Sequence, residues 1–412
     1  MEARELGRRL RLMREVRGLS QQAVAAELGL PRTAIGGMEA GNRSVSTLEL
    51  ARLSELYLRP VADLLEPGTR EEDEDVVVSL LRAAPGVEQN PATREQVRRC
   101  ITLCREGVTL ERVLGVELRC GPPSYEVRVP RFSGEAVAQG EQTAEQERRR
   151  MGLGDGPISD IAELIASQGI WATGVEFPGE VSGLFLRHPS IGVAILVNAS
   201  HARGRKRFSY AHEYAHGLLD RDRNIVISSS DNASELVETR ANAFAAAFLM
   251  PRTGVYAALR SLDKGLPSRQ QQTVFDVATE GRIDAELRSP AGSQRITYKD
   301  VAMVAYHFGV SYQAAVYRLK SLRYVSQPES RALLGQEDFG REYLETLRMF
   351  SDVGEPEPED YRDRELRSEI AHLAIEAYRR EEISRGRILE LSKALRFRGD
   401  TLLRLAQAAR GD

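Results

Sequence analysis

Apolar residues recur at helical spacing from the start of the chain. Leu6, Leu10, Met13 and Val16 mark an amphipathic helix over residues 3–17. Gly18-Leu19 interrupts it, and Ser20 stands where an N-cap belongs, ahead of a second helix ending at Leu28. Gly29 suits a turn position with positive φ. A third helix is expected from Pro31 to Ala40, stopped by Gly41-Asn42. Ala25, Gly29 and Ile35 thereby occupy the small, turn and buried positions of a helix-turn-helix corner. Residues 76–114 read as helical, with Val97, Ile101, Leu103 and Cys104 apolar, and residues 158–168 form a helix ending at Gly169. The period then shortens: Ile170–Thr173, Ser182–Leu186 and Val193–Asn198 are expected strands. Apolar residues at 237, 241, 244, 245 and 248 mark the buried stripe of a later helix. Farther on, Ala305, Gly309 and Ala315 repeat the offsets of Ala25, Gly29 and Ile35. Residues 361–410 are again helical.

Composition limits what these elements can build. A chain of 412 residues implies two or three domains at roughly 150 residues each. Hydrophobic and charged fractions of 42% and 28% lie in the ordinary globular range and exclude wholesale disorder. A net charge of −3 excludes a whole-chain polycation, but not a local basic face. Up to Arg43 there are eight arginines against five glutamates, the right sign for phosphates. The charge run Arg70–Asp75, the Gly-, Pro-, Ser- and Gln-containing stretch 121–145, and residues 354–360 read as linkers. Cys100, Cys104 and Cys120 are too few for a disulfide framework and read as reduced, partly buried thiols. There is neither a run of roughly 18 apolar residues nor a signal-peptide core. A soluble, cytoplasmic protein without a membrane partner is expected.

The chemistry concentrates in His212-Glu213-Tyr214-Ala215-His216. Two histidines four apart on a helix project from one face and can take two corners of a tetrahedral zinc site, with Glu213 placed as general base. A third ligand is available on the later helix, where Glu238 adjoins the buried stripe and Glu235 is the fallback. Tyr210 or Tyr214 could assist an oxyanion, although nothing in the sequence selects either. His188, His201, His307 and His372 lack partner spacing and read as structural or solvent-facing.

Two resemblances follow. Arg17–Gln21, Leu28-Gly29-Leu30, Ile35 and Glu39–Arg43 resemble the XRE (Cro/CI-like) family of DNA-binding domains over about residues 4–66. The resemblance implies base contacts from Arg32, Thr33 and Ala34, phosphates near Gln21 and Gln22, and backbone contact by Arg43. It also implies a homodimer on a double-stranded operator. Pro31 and Gly36-Gly37 depart from the family pattern. Arg207-Phe208, His212–His216, Glu238, Ala241-Asn242, Phe244-Ala245 and Leu249-Met250-Pro251 resemble the ImmA/IrrE family of zinc metallopeptidases, over about residues 144–255. This implies His212, His216 and Glu238 as zinc ligands, with manganese as the alternative metal, and Glu213 as catalytic base. The unit at 302–320 is similar to the helical extension that follows the peptidase core in that family.

The expected fold class is a mostly α, multidomain chain. It comprises an all-α λ-repressor-like helix-turn-helix domain (1–68), an acidic linker and helical connector (69–143), an α+β zincin-like domain with a small sheet (144–290), and a helical C-terminal region containing a second helix-turn-helix-like unit (291–412). The expected function is a bacterial transcription regulator that cleaves a partner repressor, or itself, upon a stress or mobile-element signal. The alternative is a non-proteolytic repressor whose peptidase-like domain senses or binds.

Overall fold

The computed structural model describes residues 3–16, 19–57, 61–65, 91–116, 121–177, 181–188, 191–221, 223–229, 235–265, 269–276, 281–288, 292–349, 364–398 and 400–410. The expected linkers at 70–75 and 354–360, and Cys120, lie outside them. The chain divides into two compact units, Met1–Val76 and Val77–Asp412.

Among its described residues the first unit contains the helices α1 (Ala3–Val16), α2 (Gln21–Leu28), α3 (Arg32–Glu39), α4 (Thr47–Tyr57) and α5 (Val61–Leu65). Ser20 caps α2 by accepting from the Ala23 N–H. Gly29 ends α2 in the left-handed region at φ 68°, so the chain turns directly into α3. Leu10, Val24, Ala25, Ile35, Met38, Leu53 and Leu64 form the core. A buried ion pair crosses it. Arg14 donates to Glu39 at 2.6 and 3.1 Å, and Gln21 donates to the same carboxylate at 2.8 Å. Such a pair is favourable only because every charged atom finds a partner.

The second unit is built around a four-stranded sheet, β1 (Ile170–Val175), β2 (Val181–His188), β3 (Gly192–Asn198) and β4 (Ile225–Ser229), in the order β1-β3-β2-β4. β1 and β3 run parallel, in the register Ile170↔Val193. The other pairs are antiparallel, and a bulge between Val181 and Gly183 sets Gly183 opposite Ser228. The strands are almost wholly apolar because helices cover them.

Before the sheet come α6 (Pro91–Val113), α7 (Ser133–Arg150) and α8 (Ile161–Ala166). After β3 the chain enters α9 (Arg203–Leu219), and after β4 come α10 (Leu236–Leu249) and α11 (Arg252–Ser261). A hairpin, β5 (Arg269–Asp276) with β6 (Gly281–Arg288), precedes α12 (Tyr298–Phe308), α13 (Tyr312–Ser321), α14 (Gln327–Leu334) and α15 (Glu337–Met349). The chain ends in α16 (Arg364–Arg379), α17 (Arg385–Ala394) and α18 (Thr401–Arg410). Among the described residues no helix is long and apolar enough to cross a membrane.

Two expectations need correction. Much of the stretch 121–145 is helix rather than linker. α7 buries Ala136, Gly140, Thr143 and Ala144, and a Cβ on Gly140 would meet the Arg240 carbonyl oxygen at 2.4 Å. Small residues on one face let α7 approach α10 backbone to backbone, and that same smallness makes the segment read as polar. The core also runs past residue 290. Val301, Ala305, Phe308, Ala315, Val316 and Leu319 share one cluster with Phe185, Tyr214 and Phe244.

The pair α12–α13 has the expected corner, with Gly309 left-handed at φ 65° and Ser311 capping α13 through the Ala314 N–H. The helix that would enter a groove is instead packed inward. Its Arg318 is buried and donates to the Met250 carbonyl at 3.0 Å and to the Glu141 carboxylate. Cys100 and Cys104 are both buried on α6.

Candidate functional site

α9 carries His212, Glu213 and His216 on the face turned toward β2 and α10. It holds that position because Ala211, Tyr214, Ala215 and Leu218 fill the core on its other side. The rings of Phe244 and Phe248 stack at 5.1 Å on α10 beside Tyr214. This aligns α10 so that Glu238, in its first turn, faces the two imidazoles.

His212 Nε2 lies 3.0 Å from Glu238 Oε2 and 3.2 Å from His216 Nε2, and His216 Nε2 lies 3.6 Å from Glu238 Oε1. His212, His216 and Glu238 are the residues among those described whose ligand atoms could close around one cation, all lying within 4.8 Å of one another. All three are buried. Glu235 is the exposed N-cap of α10 and stands outside this cluster. The Tyr214 hydroxyl donates to Glu147 in the core, away from the cluster.

Glu213 is fully buried, and neither carboxylate oxygen has a hydrogen-bond partner among the described residues. β2 leaves room for it. A Cβ on Gly183 would lie 2.5 Å from Glu213 Oε1. Ser228, the register partner of Gly183, is buried with its hydroxyl also unpartnered among the described residues.

Behind the imidazoles lies a second layer. His216 Nδ1 meets Asp220 Oδ2 at 2.9 Å, and Asp220 Oδ1 accepts from Arg240 Nη2 at 2.5 Å. His212 Nδ1 meets Asn242 Oδ1 at 2.9 Å. Sequence reading assigned no role to Asp220, Arg240, Ser228 or Gly183. The one available signal was the four-residue spacing of His216 and Asp220.

The electrostatics fit a divalent cation. The cluster holds three buried carboxyl groups, Glu213, Glu238 and Asp220, and of these the buried Arg240 guanidinium pairs with Asp220. Burial works against a charged His216, but hydrogen bonds to Asp220 and Glu238 push its pKa up to about 10. Burial likewise works against the Glu238 anion, yet the two histidines hold it down at about 2. Burial pushes Glu213 up, with His212 and His216 opposing. Two imidazoles and a carboxylate are a donor set suited to zinc.

On the first unit, Gln22, Arg32 and Thr33 are exposed, and Ala34 is half-buried at the start of α3. Gln21 is turned inward onto Glu39. Arg43 donates to Glu49 at 2.7 Å, which fixes the loop after α3.

A comparison with curated proteins gives no match. Family models match two segments: residues 177–320 match the IrrE N-terminal-like domain of the M78 peptidases, and residues 5–66 match a helix-turn-helix domain. The chain therefore joins a helix-turn-helix domain of the XRE type to an IrrE/ImmA-like domain of the M78 peptidase family.

Proposed function

We propose that this chain is a transcription regulator that binds an operator through its first unit, as a homodimer, and hydrolyses a peptide bond in a partner repressor or in itself through its second. The observation that carries the peptidase half is the unpartnered, buried Glu213 carboxylate beside the converged His212, His216 and Glu238. His212 and His216 would each present Nε2, and Glu238 an oxygen, to zinc or manganese. When bound, such an ion supplies Lewis-acid polarisation of a carbonyl and an acidified water. Glu213 takes the proton of the attacking water on a carboxylate oxygen and later returns it to the departing amine. Its burial suits both halves of that task, because raised basicity helps accept the proton and exclusion of water keeps it local.

On the DNA side, Arg32 and Thr33 read base edges and Gln22 stands toward the phosphates. Having both halves in one chain raises the local concentration of peptidase near DNA-bound partners. A stress or mobile-element signal would release the cleavage.

The test is incubation of purified full-length chain with zinc or manganese and candidate repressors, beside Glu213→Gln. Discrete fragments with wild type and none with the variant are expected. Equal fragments from both would sink the mechanism.

A further inference from the structure

We propose that Asp220 is a positioning residue for the metal centre and that Arg240 acts on the centre through it, so that the two histidines are held in chemically different ways. The proposal rests on the reading that His212, His216 and Glu238 hold a metal. It concerns what stands behind them.

Asp220 ends α9 as its C-terminal cap, one turn beyond His216. Its Oδ2 lies 2.9 Å from His216 Nδ1 and, accepting from the Nδ1–H, would hold the tautomer that leaves Nε2 to a bound metal. Asn242 does the same for His212, through a neutral amide oxygen. The two ligands therefore differ. His216 is backed by an anion and becomes the stronger donor, whereas His212 is backed by a dipole.

A carboxylate this deep is costly unless paired, and Arg240 pairs it. Arg240 is 2% exposed, and its described partners are Asp220 at 2.5 Å and Gln139 at 3.5 Å. It belongs to the same helix as Glu238 and Asn242, so α10 supplies one ligand and reaches behind both others. α7 closes the arrangement from outside, since the Arg240 carbonyl lies where a Gly140 side chain would be. Burial works against the Asp220 anion, but His216 and Arg240 outweigh it and hold its pKa low.

Zinc affinity is the readout, measured on metal-free full-length chain in competition with a chromophoric chelator. Asp220→Asn is expected to weaken zinc about 10- to 100-fold, and Asn242→Ala by less. Because Asp220→Asn strands a buried guanidinium, the decisive protein is Asp220→Asn/Arg240→Met. Its melting temperature should return toward wild type while zinc binding stays weak. The visible bands of its cobalt(II)-loaded form should also differ from wild type. If zinc affinity recovers together with stability, Asp220 is only a structural partner and the proposal fails. Wild-type affinity in the single variant also overturns it. Failure of wild type itself to hold one zinc per chain would instead remove the metal-centre reading beneath it.

Discussion

The corner α2–α3 and the corner α12–α13 follow one local pattern and do different work. Both turn on a left-handed glycine, Gly29 at φ 68° and Gly309 at φ 65°, and both bury an alanine in the first helix, Ala25 or Ala305. In α3 the first turn is left exposed at Arg32 and Thr33. In α13 Tyr312 is buried under the Leu333 carbonyl, which it reaches at 3.1 Å, and Arg318 is locked between Met250 and Glu141. A helix-turn-helix pattern specifies how two helices meet. The outward face of the second helix decides whether the corner reads a ligand or fills a core.

The comparison can be broken at several points. Arg318→Leu should destabilise the second unit by about 2–4 kcal/mol in urea unfolding, because it orphans a carbonyl and leaves Glu141 without its closest cation. Arg32→Ala should leave unfolding nearly unchanged while weakening operator binding about tenfold to a hundredfold in gel shifts. Gln313→Ala, at the exposed α13 position that matches Thr33, should leave binding as it was. Gly309→Ala and Gly29→Ala both force a side chain into the left-handed region, at a cost of about 1–2 kcal/mol. Gly309→Ala should cost more in thermal melts, since its Cβ would meet Arg207 Nε at 3.1 Å whereas Gly29 faces open space. Equal losses would show that the Arg207 contact is soft.

A small gain in stability is expected of Gly36→Ala. Gly36 is helical, and the nearest atom to its added Cβ is Gln21 Oε1 at 3.9 Å. Up to about 1 kcal/mol of added stability is expected in the first unit, and a loss would reveal a tight neighbour.

The elements legible in sequence were those whose signal is local. The first three helices of the first unit, three of the four strands of the sheet, and the four-residue spacing of His212 and His216 each fit within one window. The choice of Glu238 over Glu235 needed a buried stripe as well, and the two glutamates part at the helix N-terminus, one capping outside and one facing inward. What escaped was non-local. Asp220 and Arg240 meet only because α9 and α10 pack, and neither helix announces the other. α7 was hidden by its small face. β4, at five residues, is too short for its alternation to stand out.

The small face of α7 bears on how this protein can be divided. The segment matching the IrrE N-terminal-like domain starts at residue 177, beyond α7, α8 and β1. A fragment cut there would bare the flank of α10 where Gly140 now lies, and strip from Tyr214 the Glu147 carboxylate that receives its hydroxyl. It would also lack Ile158, Ile161, Ile165, Ile170 and Ala172 from the shared core. The smallest piece that could fold as the second unit's core must therefore begin before Ser133 and continue at least through Leu344, well outside the recognisable family segment on both sides.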